Sequence, residues 1–300
     1  MLTVRDLNLP VLPTHSLTYN VLNSTGQLTG LFTTPVYLVS DKRDPRYSRV
    51  IEVDNGGNSY YNGMSVQIQR RLARGFEGSL AYTWSHAIDT NMGTAGSNLF
   101  LGNNAPTSLF NGDYANNKGD SSLDVRQRLV INWLYQPTFH FSGKTTSFIL
   151  NGWQFATITT ISTGEPVTET LNVSSPLTSA QVTSLGLPSN LAFTSTSNGF
   201  GGSTQVPFLG INTLRLSNIY HVDARLQKTF PITERVSATL GFEVFNLTNT
   251  IAYTSLSNRG YNASGLNITP ATGLGLYTQS SGFPDGTNAR RAQAELRLTF

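Results

Sequence analysis

RRAQAELRLTF closes the chain at 290–300. Ala292, Ala294, Leu296, Leu298 and Phe300 fall on every second position, and Arg291, Gln293, Glu295, Arg297 and Thr299 fill the gaps. Successive side chains of a strand point to opposite sides, so this segment has one apolar and one charged face. Chain ends usually fray in polar residues that nothing holds down. This one ends on its largest apolar residue, which implies a strand that runs to the terminus with its apolar side turned away from water.

The same alternation recurs upstream. In 76–85, Phe76, Gly78, Leu80, Tyr82 and Trp84 oppose Glu77, Ser79, Ala81, Thr83 and Ser85. In 124–135, Val125, Gln127, Leu129, Ile131, Trp133 and Tyr135 oppose Asp124, Arg126, Arg128, Val130, Asn132 and Leu134. In 221–230, Val222, Ala224 and Leu226 oppose His221, Asp223, Arg225 and Gln227; in 234–245, Val236, Ala238, Leu240, Phe242 and Val244 oppose Ser237, Thr239, Gly241 and Glu243. No stretch of comparable length follows a 3.6 period between helix caps. The fold class is all-β.

Strands are expected at 17–23, 28–39, 59–72, 75–88, 124–136, 148–162, 219–230, 235–248 and 290–300. Many of these exceed the five or so residues of a soluble strand and match the roughly 9–11 residues of a tilted membrane strand. Tyr60, Tyr61, Trp84, Tyr135 and Phe230 fall toward strand ends, where a membrane girdle puts aromatic rings. Short links at 24–27, 73–74, 137–147 and 231–234 alternate with long ones at 40–58, 89–123, 163–218 and 249–289. That alternation predicts an antiparallel up-and-down transmembrane β-barrel, with tight periplasmic turns at one rim and long outer loops at the other. The expected wall is partial, about nine long strands, and its C-terminal strand descends into the periplasm. Nine is odd, whereas bacterial single-chain barrels have even counts. The expectation is therefore one domain over 1–300, the C-terminal portion of a larger barrel, with 1–13 as a lead-in and no plug domain.

Composition fits that reading. Charged residues make up 12% of the chain, about half the usual share in soluble proteins. Mean hydropathy is nevertheless −0.17, because Ser, Thr, Asn and Gly replace the charges. No window approaches a membrane helix, and MLTVRDLNLPVLPTH does not read as a secretory signal. The absence of cysteine excludes disulfides, thiol nucleophiles and thiolate metal sites. Sixteen arginines and four lysines are scattered, and RRLAR at 70–74 is the only basic knot, too small to suggest nucleic acid. Arg70 falls on an apolar face, tolerable near the rim beside the 73–74 turn.

The polar faces carry Glu77, Arg126, Arg128, Asp223, Arg225, Glu243, Glu295 and Arg297. They are read as a lumen-facing ladder of cross-strand pairs, for example Asp223 with Arg225 or Glu243 with Arg297. Guiding a solute or contacting a plug is the sharper alternative. His15, His86, His140 and His221 have no metal-ligand spacing. Asp113, Asn116, Asp120 and Asp124 offer oxygen ligands of the kind calcium takes, yet they depart from the EF-hand pattern and turn chemistry explains them equally well. No catalytic motif is present, and Ser85 and His86 are adjacent and would face opposite sides. The expectation is no enzyme, no cofactor and no metal. Leu296, Leu298 and Phe300 read as an assembly signal, because their alternation resembles what the outer-membrane barrel assembly machinery recognises. A soluble or surface-anchored β-sandwich, an adhesin or carbohydrate-binding module, would explain the Thr and Asn richness but not the terminal Phe or the loop lengths.

Five segments, in order, resemble the Oar-like family of TonB-dependent outer-membrane transporters. They are YYNGMSVQIQRRLARGFEGSLAYTWSHAID (60–89), GDYANNKGDSSLDVRQRLVINWLYQPTF (112–139), GWQFATITTISTGEPVT (152–168), HVDARLQKTFPITERVSATLGFEVFNLTNT (221–250) and RRAQAELRLTF. The resemblance covers most of 14–300 and the long loops least. It implies the wall of a solute-uptake barrel in the Gram-negative outer membrane. Its partners would be outer-membrane lipid, the assembly machinery and, in a full-length version, a plug domain and TonB.

Overall fold

The computed structural model describes residues 3–8, 15–36, 38–47, 50–54, 58–90, 118–175, 177–187, 202–281 and 288–300. Seven long strands form one antiparallel meander in chain order. They are β1 (Ser59–Ala73), β2 (Phe76–Asp89), β3 (Gln127–Tyr135), β4 (Trp153–Ser162), β5 (Ile219–Pro231), β6 (Ser237–Phe245) and β7 (Arg291–Thr299). They run from 9 to 15 residues. A two-residue strand, Gly119–Asp120, pairs with β2 at its far end.

Residues directly opposite in a ladder share a face. Ile68 faces Leu80, which faces Ile131; Val66, Tyr82 and Leu129 form the next row. At the other edge Leu240 faces Leu296, and Ala238 faces Leu298. The β3–β4 and β4–β5 registers carry the row from Trp133 through Thr157 to Ala224. Leu80, Tyr82, Leu129, Ile131, Trp133, Leu240, Phe242, Leu296 and Leu298 therefore lie on one side, as the alternation predicts. Glu77, Arg128, Asp223, Arg225, Glu243, Glu295 and Arg297 lie on the other.

Connections sort by rim. The turn between β1 and β2 is Arg74–Gly75, both at positive φ (53° and 77°), as a two-residue type I′ hairpin demands. A Cβ at Gly75 would stand 2.2 Å from the Gln136 carbonyl oxygen, so this turn also packs against the end of β3. The β3–β4 and β5–β6 links and the C-terminus share this rim. The 90–126, 163–218 and 246–290 segments all leave from the opposite rim.

The long segments are not simple loops. A second sheet has the order Gly202–Gln205, Thr170–Ser175, Arg259–Ser264, Asn267–Pro270, His15–Leu22, Leu28–Val36. It is assembled from 163–218, 246–290 and the N-terminal region, with parallel seams where two of these inserts meet. Helix α2 (Ser179–Ser184) starts on a capping box of Thr178 and Gln181 and drives Val182 into the core. That core, including Leu17, Tyr19, Phe32, Leu171, Val173 and Ile268, draws no residue from β1–β7. We call this second body the cap.

Two expectations are corrected. The 17–23 and 28–39 strands form a hairpin of the cap, so the wall has seven long strands among the described residues rather than nine. Their period-two pattern is real, but the apolar face meets Leu171, Val173 and Ile268 instead of a membrane. The 137–147 link and the start of the 148–162 strand contain a helix, α1 (Lys144–Leu150), and the strand begins at Trp153. Most of the 1–13 lead-in lies outside the described residues; Thr3–Asp6 pairs with Ile51–Asp54.

Candidate functional site

Three polar features occupy the non-apolar side of the wall and the rim beneath the cap. The first is a ladder across β5, β6 and β7. Arg225 Nε reaches Glu243 at 2.9 Å, its Nη2 reaches Glu295 at 2.7 Å, and Arg297 Nη2 meets the other Glu295 oxygen at 2.8 Å. Gln293 donates to Glu243. The pairing differs from the expected one: Glu243 takes Arg225 rather than Arg297. Asp223 is engaged by His221 Nε2 at 2.8 Å and by the Asn246 backbone N–H at 2.9 Å, not by Arg225. Arg225 stands directly opposite Glu243 across the β5–β6 ladder, whereas Arg297 stands opposite Thr239, out of reach of Glu243. Glu77 and Arg128 sit opposite Leu134 and Thr83, and neither has an ion pair among the described residues.

The second feature ties the rim to the cap. Asp124 is buried; its Oδ1 accepts the Ala87 N–H at 2.7 Å, and its Oδ2 accepts Arg126 Nε at 2.7 Å and Arg215 Nη2 at 2.6 Å. Asp120 takes the remaining donors, Arg126 Nη2 at 2.8 Å and Arg215 Nη2 at 2.6 Å, and lies 3.0 Å from His86 Nε2. Arg126 is thus part of this knot rather than of the ladder. Burial pushes both carboxyls up, but it is outweighed: His86, Arg215 and Arg126 hold Asp120 below the ordinary carboxylate range. The Ala87 N–H, Arg215 and Arg126 do the same for Asp124. The oxygens considered for calcium are therefore occupied by two guanidinium groups, while Asp113 and Asn116 lie outside the described residues. No group of three metal-ligating side chains occurs among the described residues.

The third feature is a cavity of about 380 Å³ beside the knot. Arg128, Thr160 and Ser162 of the wall line one side, and Glu165, Tyr253 and Thr254 of the long segments line the other. Tyr253 stacks on Tyr277 with ring centroids 4.1 Å apart. Arg128 and Glu165 bring one positive and one negative group to its walls.

Residues 2–293 match the outer membrane beta barrel domain. The chain belongs to that family. No curated protein and no solved structure matches it. The greasy side of this outer-membrane barrel domain is accordingly its lipid-facing side. Its large side chains stay open strand after strand: Ile68 is 61% exposed, Phe242 52% and Leu296 65%. A sandwich would cover that face with a second sheet, so the sandwich alternative does not describe the wall.

Two cations interrupt the lipid-facing parity, Arg70 on β1 and Lys228 on β5. Lys228 has its donors satisfied by the fold. Its ammonium donates to the carbonyls of Phe148 at 2.8 Å, Ile149 at 2.9 Å and Asn151, which are the C-terminal carbonyls of α1 and its cap. The Trp153 and Phe230 rings flank it at 5.1 and 5.4 Å. Nothing in the local sequence announces this: α1 spans seven residues, too few for a helical period to show.

Proposed function

We propose that the chain forms the C-terminal part of the wall of a TonB-dependent, Oar-like uptake barrel, with its C-terminus in the periplasm. The observation that carries the reading is the seven-strand meander itself. A barrel closed by antiparallel neighbours needs an even number of strands, so the seven long strands among the described residues do not close one by themselves. The five ordered segments resembling the transporter family supply its character. In a full-length version, a plug would fill the polar interior, TonB would supply the energy, and the cavity at Arg128 and Glu165 would meet the solute beneath the cap. The assembly machinery would read Leu296, Leu298 and Phe300 on the last strand. Protein–protein crosslinking in cells carrying the complete protein tests the transport reading: TonB should be recovered with it. A correctly inserted outer-membrane protein that never crosslinks to TonB would leave the barrel and remove the transporter.

A further inference from the structure

Arg70 is the lipid-facing cation that the fold leaves short of partners. Arginine has five N–H donors and no acceptor. Here one Nη2 reaches the Ala73 carbonyl at 3.3 Å, and the guanidinium lies over the Phe76 ring at 5.4 Å. No carboxylate pairs with it among the described residues, and Glu77 points to the opposite side of the sheet. Beside it the apolar surface is dented. Gly78, between Arg70 and Trp133 in the ladder, lies under the edge of the Phe76 ring, and Ile68, Phe76, Leu80, Ile131 and Trp133 line a shallow hollow of about 390 Å³. Arg70 is the one charged residue on its lining. Arg74 in the adjacent turn places another positive charge at the same rim.

We infer that this hollow and Arg70 form a binding site for an anionic phospholipid, with an acyl chain in the hollow and the headgroup phosphate on the guanidinium. Three features favour a lipid. The hollow is continuous with the lipid-facing side of a membrane wall. Its one charge stands on the short-turn side, where headgroups begin. A phosphate matches the donors that Arg70 has left. The contrast with Lys228 sharpens the point, since three carbonyls and two rings already occupy that cation. The inference rests on the barrel wall and not on the transport reading.

The test is lipid binding to the full chain in detergent micelles, read by native mass spectrometry during titration with phosphatidylglycerol or phosphatidylethanolamine. Phosphatidylglycerol should bind preferentially. Arg70→Gln should weaken it about tenfold, the value of one charge-assisted hydrogen bond, while Arg70→Lys recovers part of the loss. Ile68→Ser, which removes apolar lining from the hollow, should weaken both lipids. Should that variant fail to fold, Ile131→Ser tests the same wall. Inorganic phosphate should not compete, because it has no acyl chain. Unchanged phosphatidylglycerol affinity in Arg70→Gln would overturn the site. Effective competition by inorganic phosphate would also overturn it, marking a free-anion site instead.

Discussion

The wall and the cap are built from the same kind of strand and dispose of their apolar faces in opposite ways. In the cap, Leu171, Ala263 and Ile268 are fully buried, and Tyr19 is enclosed so tightly that burial pushes its hydroxyl up to about 12. In the wall, Ile68, Leu240, Phe242, Leu296 and Leu298 are half or more exposed, and the buried core stops where the wall begins. The difference lies in the solvent. The cap must make its own dry interior because it stands in water, whereas lipid supplies the wall's apolar partner.

That contrast can be broken most forcefully by core truncation. Leu171→Ala removes a fully buried side chain and should cost the cap about 2–5 kcal/mol. It should raise protease nicking of 163–218 and leave heat-modifiable migration of the wall intact. Leu240→Arg places a charge on the lipid face and should cost about 2–4 kcal/mol near the bilayer middle. It should cut membrane insertion and leave cap protection unchanged in any protein that inserts. If either substitution damaged both properties equally, the two bodies would not be energetically separate.

The joint between them is the next lever. Asp124→Ala would leave Arg126 and Arg215 without their buried acceptor. The expected cost is about 2–3 kcal/mol, below that of a fully enclosed pair because both arginines are a third exposed. Loosening should appear as faster hydrogen exchange at Ala87 and 212–215. Since both carboxyls are held below their ordinary range, their contribution is present above the unfolded value near 4 and fades as pH falls further. Acidification of the wild type should therefore mimic the substitution at the rim, and should loosen Asp124→Ala less, since that variant has already lost one of the two carboxyls.

The smallest effect belongs to the ladder. Arg297→Ala removes one exposed pair with Glu295 and should cost under about 1 kcal/mol in urea unfolding from vesicles. Deleting Phe300, or changing Leu296 and Leu298 to Asp, should instead block outer-membrane assembly. Equal yields from both sets would remove the assembly-signal reading.

Much of the wall was legible in the sequence. Alternation through 59–72, interrupted at Arg70, and through 75–88 located β1 and β2 to within a residue, and the RRAQAELRLTF ending located β7. The cap was not legible, for two physical reasons. Strands such as Asn267–Pro270 span four residues, too short for period-two alternation to stand out from loop composition. The His15–Leu22 and Leu28–Val36 hairpin alternates as the wall does, and alternation reports an apolar face without saying what covers it. The rim knot was equally hidden. Asp124 and Arg215 are 91 positions apart and meet only because two long segments return to one rim.

The central claim is that alternate faces of the wall meet lipid and water, and the chain's lack of cysteine allows that to be measured directly. Single cysteines at each position from 291 to 299, in protein inserted into phosphatidylcholine vesicles, would be challenged with a membrane-impermeant maleimide and with lipid-borne spin labels. Positions 293, 295 and 297 should react with the maleimide, and positions 294, 296 and 298 should resist it and be quenched from the lipid. Uniform labelling along the strand, or the opposite phase, would contradict the account.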